Sequence, residues 1–346
     1  LTRISVSPKC ISPLKSYQST RFQVELAGNT KYPLHNSLAL QCEVVYIAPF
    51  LKNSHSEKYG GNMPFANYAS LLNQARAEKY ALGAFNVMNL IYLNPILEAA
   101  EIERAPVILQ INPIHYKHSE IMAFIPYLRE MALRATVPVA LNLDHGRDFG
   151  EITAAVRYGF PSVMFDGSRL TYAENLAQTR RIVEICHPLE ITVEAELGKL
   201  NDEGVEITTE TRAVLFTDPD AAGEFVSQTG VDALAVSIGN AHGFYKGTPK
   251  LDFARLAAIR EQADLPLVLH GGSGIPDADI RRAISMGIAK INIYTEMGAS
   301  AHQRLREFLI QNAQLKDFAT SFDEIREAIK TVVREKMQLF GSSGKV

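Results

Sequence analysis

The chain has 346 residues, 47% of them hydrophobic, and its 35 Lys and Arg nearly balance its 38 Asp and Glu for a formal charge of -3. That length buries a core in one barrel-sized domain or two smaller ones, and the mixed charge excludes the basic footprint of a nucleic-acid binder or an anionic-membrane binder. Three cysteines, Cys10, Cys42 and Cys186, with no CxxC pair, exclude a disulfide framework and a thiolate zinc cluster and point to a reducing, cytoplasmic compartment, and no apolar run approaches the roughly 20 residues that span a bilayer.

Residues 1–62 are rich in serine, lack aspartate and show no sustained helical or strand period. They fit either a transit peptide or, as the preferred expectation, a disordered or non-native extension. From Met63 onward short apolar runs alternate with amphipathic helical segments, the pattern of βαβ units. The runs are Leu82–Val87, Pro106–Asn112, Pro138–Asp144, Ser162–Gly167, Ile191–Glu196, Ala233–Ile238, Leu265–His270 and Lys290–Tyr294. Helical spacing is plainest over 91–103, 123–135, 170–186 and 277–286, and extra helical pattern covers 297–338. Eight strands, each followed by a helix-length segment and with no GxGxxG after the first, predict an α/β fold. It is a (β/α)8 TIM barrel over residues 63–346 with extra C-terminal helices.

In such a barrel the C-terminal strand ends carry the chemistry. Here they present Asn86, Asn112, Asp144 with His145, Asp166, Glu194 and Glu196, Asn240 with His242, His270, and Asn292 with Thr295. One histidine at a strand end is usually a satisfied polar residue. Three, His145, His242 and His270, at the ends of strands 3, 6 and 7 converge on one side of the mouth and make a candidate set of imidazole ligands for a catalytic zinc. His35, His55, His115, His118, His187 and His302 lie elsewhere. Directly after His270 the run Gly271, Gly272, Ser273, Gly274, Ile275, Pro276 leads into a helix at Asp277, which leaves backbone N–H groups facing the mouth. A tight turn alone would explain the glycines, but beside a candidate ligand after strand 7 they predict a phosphate site, with Asn292 and Thr295 as further donors.

The stretches LDHG at 143–146, SVMFDGS at 162–168, VEAELG at 193–198, IGNAHGFY at 238–245, LVLHGGSGIP at 267–276 and KINIYTE at 290–296 run in one order. Together they resemble the class II, zinc-dependent fructose- and tagatose-bisphosphate aldolases over essentially all of residues 63–340. The resemblance implies a lyase of carbohydrate metabolism and glycolysis that cleaves a phosphorylated ketose to dihydroxyacetone phosphate and an aldehyde, as a homo-oligomer, dimer or tetramer. It implies that His145, His242 and His270 bind catalytic Zn2+, with Asp166 and Glu196 near an alternative metal position. Asp144 would be the acid/base, joined by Glu206 of the loop after strand 5. Asn86, Gly243, Gly271, Gly272, Ser273, Asn292 and Thr295 would hold the substrate and its phosphate beside a monovalent cation, Na+ or K+.

Four positions depart from the family pattern. Asn142 stands where relatives carry histidine, Asn112 where they carry serine, and Tyr294 where they carry a small or acidic residue. The loop ELGKLNDEGVEI lacks the family's double glycine, so Glu203 competes with Glu206 for the catalytic position. These changes fall on the sugar-facing side, so the choice between fructose, tagatose and another ketose phosphate stays open. A metal-dependent sugar-phosphate epimerase or isomerase, and a catalytically silent barrel subunit, are the alternatives from other classes. A Schiff-base aldolase is disfavoured, because Lys290 falls at the start of its predicted strand rather than high in the barrel.

Overall fold

The computed structural model describes residues 66–117, 121–199, 215–243, 245, 247–314 and 317–346. The expected N-terminal extension and the loop glutamates Glu203 and Glu206 lie outside the described residues. Eight strands, β1 (Leu82–Asn86), β2 (Val107–Ile111), β3 (Val139–Gly146), β4 (Ser162–Phe165), β5 (Thr192–Leu197), β6 (Ala233–Val236), β7 (Leu267–Leu269) and β8 (Ile288–Ile293), pair in parallel and in sequence order into a closed barrel. Every residue of every strand is buried. Burial on both faces is why the strands appear in the sequence as continuous apolar runs rather than alternating ones.

The helices begin where the sequence supplies caps. The helix after β4, Tyr172–Cys186, opens with a capping box in which Thr171 and Glu174 satisfy each other's backbone N–H. The helix before β6, Pro219–Thr229, starts with Asp218 as cap and proline at its first position, and ends on Gly230 in the left-handed conformation. The expected C-terminal helical pattern resolves into two helices, Thr295–Gln311 and Thr320–Phe340; the second packs on the first and on the helix Leu90–Glu103. Among the described residues, no helix is long and apolar enough to cross a membrane.

Most strand limits shift by a residue or two, and both ends of β8 move in a way that matters for the site. β8 begins at Ile288, two residues before Lys290, because Ile288 already pairs with Leu267 of β7. It ends at Ile293, so Thr295 is the first residue of the following helix and Tyr294 its N-cap, rather than strand residues. A third feature had no counterpart in the sequence reading. Helix α1 (Tyr68–Glu78), capped by Asn67, precedes the barrel and buries Tyr68, Leu71, Leu72 and Ala75. These side chains pack with Leu82, Ala84, Ile108, Met164, Val268 and other small or apolar residues of the barrel interior. Helix α1 therefore closes the floor of the barrel, and burying Leu72 alone contributes roughly 1.5–3 kcal/mol.

Above that apolar layer the interior turns polar. Gln110, Asn142, Asp144, Glu194, Glu196, His270 and Lys290 are all buried. Groups of this kind are stable in a barrel interior only when paired, so their partners define the site.

Candidate active site

The backbone of β3 decides which side chains enter the mouth. Successive residues of a regular strand point to opposite faces, so Asp144 and His145 would not both face inward. The register between β3 and β4 shifts between Leu143 and Gly146, and His145 has φ 51°. This bulge, with a non-glycine residue in the left-handed region, turns both side chains into the same site at a cost of about 1–2 kcal/mol.

The three histidines come together as expected. His145 and His270 meet with ring centroids 4.6 Å apart, and His242, exposed at the mouth, lies 4.9 Å from His145 and 6.1 Å from His270. Each of the three offers a nitrogen within 4.8 Å of the others. His145 Nδ1 lies 3.0 Å from Asp166 Oδ2 and 3.6 Å from Glu196 Oε2, and His270 Nε2 lies 3.0 Å from Glu194 Oε1. Carboxylates only accept, so the network assigns a proton to each of those two nitrogens. The remaining nitrogens, His145 Nε2 and His270 Nδ1, face each other at 2.9 Å. Two bare lone pairs repel at that distance, so the gap suits one proton or one cation.

The electrostatics agree. Burial opposes charge on His145, but Asp144, Asp166 and Glu196 outweigh it and lift its pKa to about 9. Burial and the charge on His145 hold His270 below the ordinary imidazole value despite its bond to Glu194; the His242 ring, open to solvent at one edge but desolvated by the groups around the rest, is pushed well below it, with the His145 charge adding to the shift. The raised His145 and lowered His270 fit one proton shared across the 2.9 Å between their facing nitrogens. Asp166 and Glu196 form with His145 a second group of possible ligands, all three buried. Burial, reinforced by the Asp166 carboxylate, raises Glu196 to about 8.

Asp144 sits beside this pair, with Oδ1 3.8 Å from His145 Nε2. Three asparagine amides donate to it: Asn86 at 2.8 Å and Asn112 at 3.1 Å to Oδ2, and Asn292 at 3.1 Å to Oδ1. Gln110 in turn donates to Asn86 Oδ1 at 3.1 Å. Burial alone would raise the carboxyl pKa; the neighbouring His145, His270 and Lys290 charges and the Asn86 amide reverse that and hold it low. Asn86 and Asn292, expected on the substrate and its phosphate, thus spend an amide on the acid/base. Asn112, one of the positions that depart from the family pattern, joins them. Asn142 is fully buried with neither side-chain atom hydrogen-bonded to protein.

The glycine-rich segment after β7 forms a backbone cradle. Gly271 has φ +63°, and a Cβ there would lie 1.9 Å from the Ala241 carbonyl oxygen; at Gly272 it would lie 2.4 Å from Ile291 Cγ2. The Tyr245 hydroxyl accepts from Ala241 N and donates to the Gly271 carbonyl, both at 2.9 Å, tying the β6 loop that holds His242 and Gly243 to the cradle. Buried Ser273 accepts from the Glu296 N–H at 3.3 Å, and the helix starting at Thr295 has no side-chain cap. A helix start whose own N-cap side chain bonds none of its N–H groups, beside glycine backbone, has the geometry that suits an anion. Gly271→Ala is expected to destabilise the chain by about 2–4 kcal/mol, a Tm loss of roughly 5–10 °C in a thermal melt, because both the left-handed φ and the contact must be relieved.

The sequence profile described as fructose-bisphosphate aldolase class-II matches residues 66–345. The chain belongs to the class II fructose-bisphosphate aldolases. Within this lyase family it is 41% identical over 287 residues to the probable fructose-bisphosphate aldolase of Bacillus subtilis (strain 168), covering 82% of this chain and 100% of that one. Among solved structures it resembles the YdjI aldolase of Escherichia coli K12, with 40% identity and a TM-score of 0.73 over 82% of this chain and 99% of that one. It also resembles a putative fructose-1,6-bisphosphate aldolase from Coccidioides immitis, with 30% identity and a TM-score of 0.71 over 81% and 97% of the two chains.

Against this class II aldolase frame, Tyr294 is fastened on the β1 and β2 side of the mouth. Its ring lies 4.9 Å from that of His115 and its hydroxyl is 3.1 Å from Met88 Sδ. His115, one of the histidines outside the candidate ligand set, is thus placed against Tyr294. Sequence reasoning named Glu194 as a strand end but gave it no role, and it read Lys290 only as a lysine too low for a Schiff base. In the barrel Lys290 Nζ bonds both Glu194 oxygens, at 2.8 and 3.1 Å. No local motif signals that pair, since its members lie 96 residues apart.

Proposed function

We propose that this class II aldolase catalyses the reversible cleavage of fructose 1,6-bisphosphate, its tagatose epimer or a related ketose phosphate to dihydroxyacetone phosphate and an aldehyde, dependent on a divalent metal. The observation that carries the reading is the pair of imidazole nitrogens facing each other at 2.9 Å, their opposite nitrogens tied to carboxylates, with His242 beside them and Asp144 3.8 Å away. His145, His242 and His270 would hold the cation; an all-imidazole set of three favours zinc, with Asp166 and Glu196 offering an alternative position. When bound, the metal supplies Lewis acidity at the ketose carbonyl.

The chain's own groups do the rest. Asp144 takes the proton of the C4 hydroxyl during cleavage and returns it during condensation, with Asn86, Asn112 and Asn292 fixing its two oxygens. Gly243, Gly271, Gly272, Ser273 and Thr295 grip the phosphate, so the reacting carbons are oriented before the bond breaks. A monovalent cation, Na+ or K+, beside the phosphate, Glu206 as a second proton-transfer group, and a cytoplasmic dimer or tetramer belong to the same reading. Tyr294 narrows the side of the mouth where relatives carry a small or acidic residue, which supports an altered sugar portion.

The test is triose release from fructose and tagatose 1,6-bisphosphate, with and without a chelator. Chelator-sensitive cleavage is the expected result. Interconversion of the sugars without triose would make the protein an epimerase, bound metal without turnover would make it a silent barrel, and chelator-insensitive cleavage would end the metal mechanism.

The shared proton has a consequence for pH. His145 is lifted from the ordinary imidazole value to about 9, so below pH 9 a cation binding there must displace a proton. Zinc affinity is expected to rise about tenfold per pH unit up to about pH 9 and then level off, as read by titration against a competing chelator. The sign for stability is the reverse. A raised pKa stabilises the metal-free fold fully below pH 6.5, and that contribution is lost as the pH climbs through 9.

A further inference from the structure

Four buried side chains run from the floor of the barrel to the metal site. Tyr68 of helix α1, Glu194 of β5, Lys290 of β8 and His270 after β7 are each 0–1% exposed. The Tyr68 hydroxyl donates to Glu194 Oε2. Lys290 Nζ donates to Oε2 at 2.8 Å and to Oε1 at 3.1 Å, and Oε1 accepts from His270 Nε2 at 3.0 Å. Neither Tyr68 nor Lys290 faces the reacting groups of the proposed reaction, and Glu194 is not among the ligands.

A buried carboxylate in one fixed orientation needs its lone pairs satisfied from fixed directions, and here three donors on three different elements supply them. Glu194 can then present Oε1 to His270 in a single orientation. That bond keeps the His270 proton on Nε2 and leaves Nδ1, the nitrogen facing His145, as the one with a free lone pair. Without it the ring is free to rotate or to exchange tautomers, and Nδ1 is no longer held toward the site. Lys290 also keeps Glu194 anionic, so that it accepts the His270 proton bond rather than competing as a donor.

We propose that Tyr68, Lys290 and Glu194 form a positioning relay that fixes the orientation and tautomer of His270, through which the helix closing the barrel floor sets the metal affinity at the opposite end. The inference rests on the assignment of His145, His242 and His270 as ligands. Tyr68 links the two ends directly: its aromatic body packs with the apolar floor and its hydroxyl reaches the second sphere of the site.

The experiment uses the full-length protein, stripped of metal and titrated with zinc against a chromophoric chelator, in wild type, Glu194→Gln and Tyr68→Phe. Glu194→Gln is expected to weaken zinc binding by about 10- to 100-fold, the usual loss when an outer-sphere partner is removed. Tyr68→Phe, which deletes one hydroxyl and keeps the floor packed, is expected to weaken it by roughly threefold to tenfold, toward the low end of that range. Long-range proton–nitrogen correlation spectra of the zinc-bound wild type are expected to show His270 coordinated through Nδ1 with its proton on Nε2. Zinc binding equal to wild type in both variants, or His270 coordinated through Nε2, would overturn the relay while leaving the metal assignment intact. A wild-type protein that binds no zinc would overturn the ligand assignment and the relay with it.

Discussion

Asp144→Ala is expected to lower kcat for ketose bisphosphate cleavage by about 10²- to 10⁴-fold, the range lost when a positioned acid/base is removed. Asp144 is the carboxylate that three amides aim at the space beside His145, whereas Glu194 is committed to Lys290, Tyr68 and His270, and Asp166 to His145. Its depressed pKa keeps it ionised at neutral pH, ready to accept a proton. Asp144→Asn should lose as much, since it retains shape but not basicity. With phosphate contacts untouched, KM should stay within about threefold, the pattern of a group acting in the transition state alone. Steady-state measurement of triose release checks this, and near-normal kcat in Asp144→Ala beside an inactive Glu206→Ala would transfer the role to the loop.

Removing the metal is the second large effect. Lewis acidity contributes several kcal/mol to a reaction of this kind, so chelation should cost about 10³- to 10⁴-fold in kcat/KM, with recovery on adding back zinc. His242→Ala provides the genetic counterpart. Its side chain is exposed at the mouth, so its loss removes a proposed ligand without opening a core cavity. The variant should melt within about 2 °C of the metal-free wild type, as surface substitutions do, yet retain little cleavage activity. Activity that survives both treatments would rule out a role for these histidines in catalysis.

Much of this architecture was legible because each strand is buried on both faces. An apolar run such as Val107–Ile111 has no polar alternation to blur its limits, and eight of them in series admit few folds. Two of the histidines were legible for the same reason, His145 and His270 standing at the ends of such runs, while His242 comes later, in the loop after β6. The end of β8 was not. Lys290 interrupts an apolar stretch that in fact begins at Ile288, and the switch from strand to helix at Tyr294 leaves no glycine or proline to mark it. The partners inside the barrel were also invisible, because Tyr68 and Glu194 stand 126 residues apart and Asn292 and Asp144 148 apart. Closure of the barrel, rather than any local pattern, brings them together. Asn112 illustrates the limit of reading by resemblance: expected to touch the sugar, its amide donates to Asp144.

His145 occupies the left-handed backbone region, where side chains with a Cβ are disfavoured and glycine or asparagine sits with ease. At that one position folding and chemistry therefore ask for different residues. Glycine at 145 would relieve the backbone but leave Asp166 and His270 without the imidazole that pairs them, so the strain is held in place by the hydrogen bonds of the site itself.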